Sequence, residues 1–181
     1  NTSTSISGGI GKSIGWGKAS IELNASASNT KYQLLIAKEV VDFTRRDLST
    51  GIAIAYHPWE VFSIEHKSSY NTSARKGNNH TLFNNRQSFL HHWLRLYFLP
   101  GKWQMELSNE LFQSQDKSIS NSFFTDLSVS YRQKRWEATL IYNNVWGTTN
   151  LEQTYNANAQ QIFLQTRLRP SELLFKLSFS L

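Results

Sequence analysis

From residue 123 onward, apolar and polar side chains alternate so regularly that the chain is committed to β-strands. One alternating run covers Phe123–Tyr131 and another covers Trp136–Asn144, with the polar segment Arg132–Arg135 between them. The final run, Leu173–Leu181, places an apolar residue at every odd position. Because alternate side chains of a strand point to opposite faces, this strand needs an apolar environment along its whole length. The wall of a transmembrane β-barrel provides such an environment.

The preceding residues predict three more hairpins, each with a short turn between two alternating runs. Longer polar segments separate the hairpins, and residues 28–48 are predicted to be long and irregular. No segment keeps apolar residues at helical spacing, so the predicted fold is an all-β antiparallel meander. Bacterial outer-membrane barrels alternate short periplasmic turns with long external loops in this way. The four short turns are Gly15–Lys18, His57–Glu60, Leu99–Lys102 and Arg132–Arg135, and the segments expected outside are 38–47, 71–81, 113–121 and 147–158.

The alternation also predicts which side chains face hydrocarbon. A mean hydropathy of −0.45 does not conflict with this, since lumen-facing polar residues dilute the average of a barrel. No run of the sequence approaches the ~18 apolar residues that a membrane helix needs. The residues predicted to be lipid-facing are Ile21, Leu23, Ile52, Ile54, Leu94, Leu96, Leu107, Val129, Leu140, Leu177 and Phe179.

The tryptophans follow the short turns. Aromatic residues make up 13% of the chain, and six residues are Trp. Trp collects at the membrane–water interface, where its ring is buried and its N–H stays hydrated. We therefore predict an interfacial girdle at one height, against the alternative of core Trp residues in a soluble β-sandwich. The girdle consists of Trp16, Trp59, Trp103 and Trp136, each within or beside a short turn.

Three C-terminal stretches resemble a known family. They are TDLSVSY (125–131), WEATLIYNNVWG (136–147) and LRPSELLFKLSFSL (168–181). In this order they are similar to the C-terminal end of TonB-dependent outer-membrane receptors, most of all those of the Bacteroidetes type. Asn143-Asn144-Val145-Trp146 stands where Asn-Asn-Leu-Phe is usual in that family, and the chain ends in Leu rather than Phe.

The strand count predicts that residues 1–181 are the C-terminal part of one larger transmembrane β-barrel domain. About nine strands cross the membrane if residues 160–169 extend the last hairpin outside it, whereas complete bacterial barrels have an even number of strands. The chain shows no signal-peptide pattern at Asn1, although an outer-membrane protein must be exported. If the resemblance holds, the whole barrel has about 22 strands and a plugged lumen. We expect the plug and the N-terminal strands to lie outside this sequence, which would leave an open sheet.

Little in the sequence points to catalysis, metal binding or nucleic acid. There is no Cys, and no nucleophile elbow, zincin or phosphate-loop motif occurs, so we predict no enzyme activity, cofactor or metal site. The pair His91-His92 would point to opposite faces of a strand and could not hold one metal together. The net charge of +6 is spread over turns, loops and polar strand faces, which argues against nucleic acid as a partner. Inward carboxylates are expected at Glu22, Glu65, Glu106, Glu110, Asp126 and Glu137, with Lys67, Arg95 and Lys176 as pairing candidates.

The resemblance implies TonB-dependent import of a large or scarce nutrient across the bacterial outer membrane. This chain would supply barrel wall and extracellular loops, and no residue singles out a substrate. The implied partners are outer-membrane lipid and lipopolysaccharide, the missing N-terminal part of the same barrel, a surface lipoprotein, and the inner-membrane TonB complex through the absent plug. One alternative is a non-transporting outer-membrane barrel that scaffolds surface lipoproteins or a secretion or assembly complex. The other is a soluble all-β binding protein.

Overall fold

The computed structural model describes the chain except for residues 16–17, 37, 78–84, 116–118, 149, 158–159, 169 and 180–181. Every regular element in the described residues is a β-strand, as the alternation predicts. No helix there is long and apolar enough to cross a membrane. The strands are β1 (Thr2–Ile14), β2 (Ala19–Ile36), β3 (Glu39–Trp59), β4 (Phe62–Gly77), β5 (Asn85–Phe98), β6 (Trp103–Ser114), β7 (Ser122–Arg132), β8 (Trp136–Asn143), β9 (Asn150–Ala157), β10 (Gln160–Arg167) and β11 (Glu172–Phe179).

Nine of these strands form one antiparallel meander in the order β1-β2-β3-β4-β5-β6-β7-β8-β11. Strands β9 and β10 pair with each other in a separate two-stranded sheet, while β8 pairs directly with β11. The expected nine-stranded meander is therefore confirmed, and β10 belongs to an excursion of the last hairpin. Within the described residues β1 and β11 do not pair with each other. The sheet is open, as expected.

The connections define two ends of the sheet. At the end that we term the short-turn end, Gly15 and Gly101 adopt positive φ angles of 64° and 63°, which Gly tolerates because it has no Cβ. The N–H of Lys18 donates to the Gly15 carbonyl and the N–H of Trp103 donates to the Pro100 carbonyl, both at 3.1 Å. The opposite end, which we term the loop end, carries the connections at 37–38, 78–84, 115–121 and 144–171.

The register sorts the side chains onto two chemically different faces. Directly opposed residues of an antiparallel sheet share a face, and neighbours along a strand alternate between faces. Leu107 lies between Leu96 of β5 and Leu127 of β7, and this row belongs to what we term the apolar face. The opposite side, which we term the polar face, carries Glu65 of β4 opposite Arg95 of β5. The apolar residues of the alternating pattern thus lie mainly on one face of the sheet, and the polar residues lie mainly on the other.

The sheet is a single layer with almost no core of its own. Among the described residues, the only buried apolar side chains are Val41, Phe43 and Ile119. On the apolar face, Leu140 is 46% exposed and Phe179 is 71% exposed. Because apolar burial is the dominant favourable term in folding, a sheet of this kind needs an apolar environment beyond its own described residues.

The prediction of a long irregular segment at 28–48 is wrong. Strand β2 continues to Ile36 and β3 begins at Glu39, so a short turn joins them at the loop end and the connections do not alternate strictly in length. The apolar pattern changes face near this end, where Val41 and Phe43 are buried on the polar face, and Tyr32 stacks on Phe43 with ring centroids 5.4 Å apart. The alternation continues here, but the apolar residues now lie on the polar face. In the sequence this change of face looks like the end of a strand.

The excursion between β8 and β11 is tied to the connection that precedes β7. Glu152 of β9 accepts hydrogen bonds from the backbone N–H of Ser120 at 3.1 Å and from the Ser120 hydroxyl at 2.9 Å. These two donors, the backbone N–H first, hold the pKa of Glu152 below its ordinary value because they stabilise the carboxylate. Two connections of the loop end are thereby joined.

Acidification is expected to release this tie. The folded-state pKa of Glu152 lies below its unfolded value, so the stabilisation is complete above the unfolded pKa and is lost as the pH falls through the folded pKa. In the wild type, the hydrogen-exchange protection of the Ser120 backbone amide should therefore fall in acid. In the Glu152→Ala variant this amide should be weakly protected at every pH, and in the Glu22→Gln control it should behave as in the wild type. Protection of Ser120 that does not change with pH in the wild type would contradict this.

Candidate functional site

All of the residues predicted to be lipid-facing lie on the apolar face. Examples are Ile21 opposite Ile54 on β2 and β3, and Val129 opposite Leu140 on β7 and β8. The register brings the whole set together as one continuous surface, which we term the apolar band. On β3 the band extends from Leu48 to Trp59, and the next residue on this face toward the loop end is Arg46.

Three of the four predicted girdle tryptophans lie on the apolar face at the short-turn end. Trp59 is opposite Phe62, Trp103 is opposite Tyr131, and Trp136 is opposite Phe179. Trp103 and Trp136 both pack against Tyr131, with ring centroids 4.7 Å and 5.6 Å apart. Trp16, the fourth, lies outside the described residues. The apolar band therefore ends in aromatic side chains on this side.

A cluster of charged and aromatic side chains occupies the centre of the polar face. Arg95 Nη1 donates to the Tyr97 hydroxyl at 2.8 Å, and Arg95 Nε lies 2.9 Å from Glu106 Oε1. The latter contact is an ion pair without an aligned hydrogen bond, because the Nε–H points elsewhere. The Arg95 guanidinium and Lys67 Nζ also lie over the ring of Trp93, at 4.4 Å and 5.1 Å from its centroid. The positive and negative charges of this cluster on the polar face thus largely balance one another.

The two adjacent histidines lie on opposite faces, as predicted. His91, on the polar face, has Nε2 2.7 Å from Glu110 Oε1 and stacks on Phe112. His92, on the apolar face, lies 5.7 Å from His66 between ring centroids. Within the described part of the chain there is no group of three or more His, Asp or Glu residues that could hold a metal.

A hydrogen-bonded junction forms where β8 leaves the sheet. Asn144 has a φ of 50° and is buried. Its backbone N–H donates to Asp126 Oδ1 at 2.7 Å. Its side chain donates from Nδ2 to the Thr148 carbonyl at 2.7 Å and accepts from the Thr148 N–H at 3.0 Å. A single Asn thus ends the strand and starts the excursion toward β9.

The junction joins all three stretches that carry the family resemblance. Trp146 Nε1 donates to Thr125 Oγ1 at 2.8 Å, and the Thr125 hydroxyl donates to Asn109 Oδ1 at 2.7 Å. From the third stretch, the Ser171 hydroxyl donates to the Asn144 carbonyl at 2.8 Å. Sequence reasoning did not identify this junction, although Gly147, three residues after Asn144 and with a φ of 67°, is a residue type that favours turns.

Comparisons of the chain with protein-family models, with curated proteins and with solved structures found no match. Any function assigned to the chain therefore rests on its sequence motifs, its register, its charges and its exposed surfaces.

Proposed function

We propose that this chain is part of the wall of a TonB-dependent transporter in the bacterial outer membrane. In this proposal the apolar face contacts lipid and the polar face lines the lumen through which a large or scarce nutrient is imported. The observation that carries the membrane location is the apolar band, which crosses all strands of the meander while the opposite face collects the charged cluster around Arg95. The TonB-dependent class is supported by the resemblance of the three C-terminal stretches.

The dimensions of the band support a membrane environment. At about 3.3 Å per residue, the stretch from Leu48 to Trp59 spans about 36 Å along β3. A strand tilt of about 45° reduces this to about 25 Å, which is the height of the apolar band of outer-membrane barrels. Charged Arg46 on one side and aromatic Trp59 on the other are the residue types found at membrane interfaces.

The two open edges extend the proposal beyond this chain. In hydrocarbon every backbone N–H and C=O must be paired, so neither β1 nor β11 can remain an edge there. Further strands of the same barrel are the partners that we propose for both edges, and about 22 strands would complete it. A plug inside such a barrel would make the contact with the inner-membrane TonB complex.

Single cysteines introduced into this Cys-free chain are expected to report its orientation. Asn121 at the loop end and Lys134 at the short-turn end are both exposed, so Asn121→Cys and Lys134→Cys should react equally with a maleimide in purified protein. On intact cells an impermeant maleimide should label only Asn121→Cys, because long connections of bacterial barrels face outward. Equal labelling of both on intact cells would exclude this orientation.

Dependence on the TonB complex distinguishes a transporter from a barrel that only acts as a scaffold. A strain that lacks this protein and a strain that lacks the TonB complex should share a growth defect on at least one limiting nutrient, and reintroducing the protein should restore growth only where the TonB complex is intact. Restored growth in cells without the TonB complex would favour the scaffold function. Recovery of the protein in the soluble fraction without detergent would favour the soluble alternative.

A further inference from the structure

A row of basic side chains borders the apolar band at the loop end, on the same face. The register aligns Arg46 of β3 with Ala74 of β4, and Ala74 with Arg86 of β5. One step further from the band, Lys31 of β2 and Lys76 of β4 flank Thr44 on the same face. We term these four basic residues the basic rim: Lys31, Arg46, Lys76 and Arg86.

The two arginines of the rim differ from those of the polar face in their charge balance. On the polar face, Arg45 pairs with Asp47 at 2.9 Å, and Arg95 pairs with Glu106 at the same distance. Arg46 and Arg86 are exposed and have no carboxylate within ion-pair distance among the residues that the structure describes. The two arginines of the rim therefore present positive charge that no ion pair within the described chain neutralises.

A shallow depression joins this charge to the apolar band. It has a volume of about 680 Å³, and Arg46 and Arg86 are among its lining residues. Asp47 also lines it, and the carboxylate of Asp47 is engaged by Ser28 at 3.3 Å and by Arg45 at 2.9 Å. Ile6, Ala27 and Leu48, which share one row of the apolar face, line it as well. Along β3 the step from Arg46 to Leu48 is two residues, or about 7 Å. Cationic and apolar surfaces are thus one side chain apart.

We propose that Arg46 and Arg86 bind the phosphate of a lipid headgroup whose acyl chain lies along Ile6, Ala27 and Leu48. The proposal rests on the membrane location given above, which brings this rim level with the headgroups of the outer leaflet. Arginine suits the ligand because its planar fork of donors matches phosphate oxygens. An apolar surface directly below the charges selects an amphiphile over a free anion.

Lipid binding to the purified full-length protein in neutral detergent tests the site, by native mass spectrometry with dioleoyl phosphatidic acid as the probe. Dioleoyl phosphatidylcholine controls for the acyl chains, and inorganic phosphate controls for the anion. We expect the Arg46→Gln/Arg86→Gln double variant to bind phosphatidic acid at least about tenfold more weakly than the wild type, since charge-assisted contacts are lost. Arg45→Gln, the neighbouring arginine on the other face, should stay within about twofold.

Three outcomes would overturn the proposal. They are equal weakening by Arg45→Gln and the double variant, equal affinity of the wild type for both lipids, and binding of inorganic phosphate as tight as that of phosphatidic acid. Failure of the membrane location looks different, because the wild type would then be monodisperse without detergent and would bind neither lipid. Failure of TonB-dependent transport alone is detected by the growth experiment above and leaves the lipid site unaffected. If the wild type requires detergent but does not prefer phosphatidic acid, the lipid site is refuted and the membrane location is not.

Discussion

Leu140→Arg is expected to destabilise the protein in a phospholipid bilayer by about 2–4 kcal/mol, the cost of a cationic side chain near the midplane of a barrel wall. Leu140 lies on the apolar face between Val129 of β7 and Phe175 of β11. In the proposed barrel, an Arg at this site would lose its hydration to hydrocarbon without gaining a partner. Urea unfolding of the protein in vesicles measures the change in free energy of unfolding.

Ile141→Arg is the matched control for that substitution. Ile141 is the next residue of β8 and lies on the polar face, opposite Ser128. We expect its cost to be smaller by at least about 1 kcal/mol, because a lumen wall keeps the charge hydrated. If the apolar face instead met water, Leu140→Arg would change stability by only about 0.5 kcal/mol, as exposed substitutions do. That result would remove the basis for a membrane location.

Asn144→Ala is expected to destabilise the protein by about 3 kcal/mol. The substitution removes both side-chain hydrogen bonds to Thr148 and leaves those backbone groups without their partner. Each such loss costs on the order of 1 kcal/mol, and Ala adds about 1 kcal/mol because it tolerates the left-handed region less well than Asn does. The same urea titration measures the effect.

Two companion variants separate the causes. Asn144→Gly should recover about 1 kcal/mol of the loss, because Gly adopts the observed φ of 50° freely but restores no hydrogen bond. Asn143→Ala, at the end of β8, should be nearly neutral because its side chain makes no hydrogen bond among the described residues. If Asn143→Ala cost as much as Asn144→Ala, the junction would not be the source of the stability.

Local pattern was sufficient for much of the fold and of the apolar band. Because a strand alternates its side chains with a period of two, Val129 and Leu177 must face away from their sequence neighbours whichever strands they meet. Two short turns were also predictable, since Gly15 and Gly101 supply the positive φ angles that tight turns need. The turn predicted at His57–Glu60 is displaced, because β3 continues to Trp59 through a bulge and the turn lies at residues 60–61. The position of Val41 and Phe43 on the polar face was not predictable. Alternation shows that two residues share a face, but it does not show which face of the sheet the apolar residues of a given stretch occupy.

The sequence by itself thus determined which side chains share a face over most of each strand, where most of the short turns lie, and that Trp59, Trp103 and Trp136 lie at strand ends beside those turns. Only the tertiary structure decided the register in which β8 pairs with β11, and that β9 and β10 form a two-stranded sheet of their own. It alone decided that Asn144 joins three separate stretches, and that Arg45 finds a carboxylate within the described chain while Arg46 finds none there. The physical reason is that alternation is local to one strand, whereas register, ion pairing and junctions depend on partners distant in sequence.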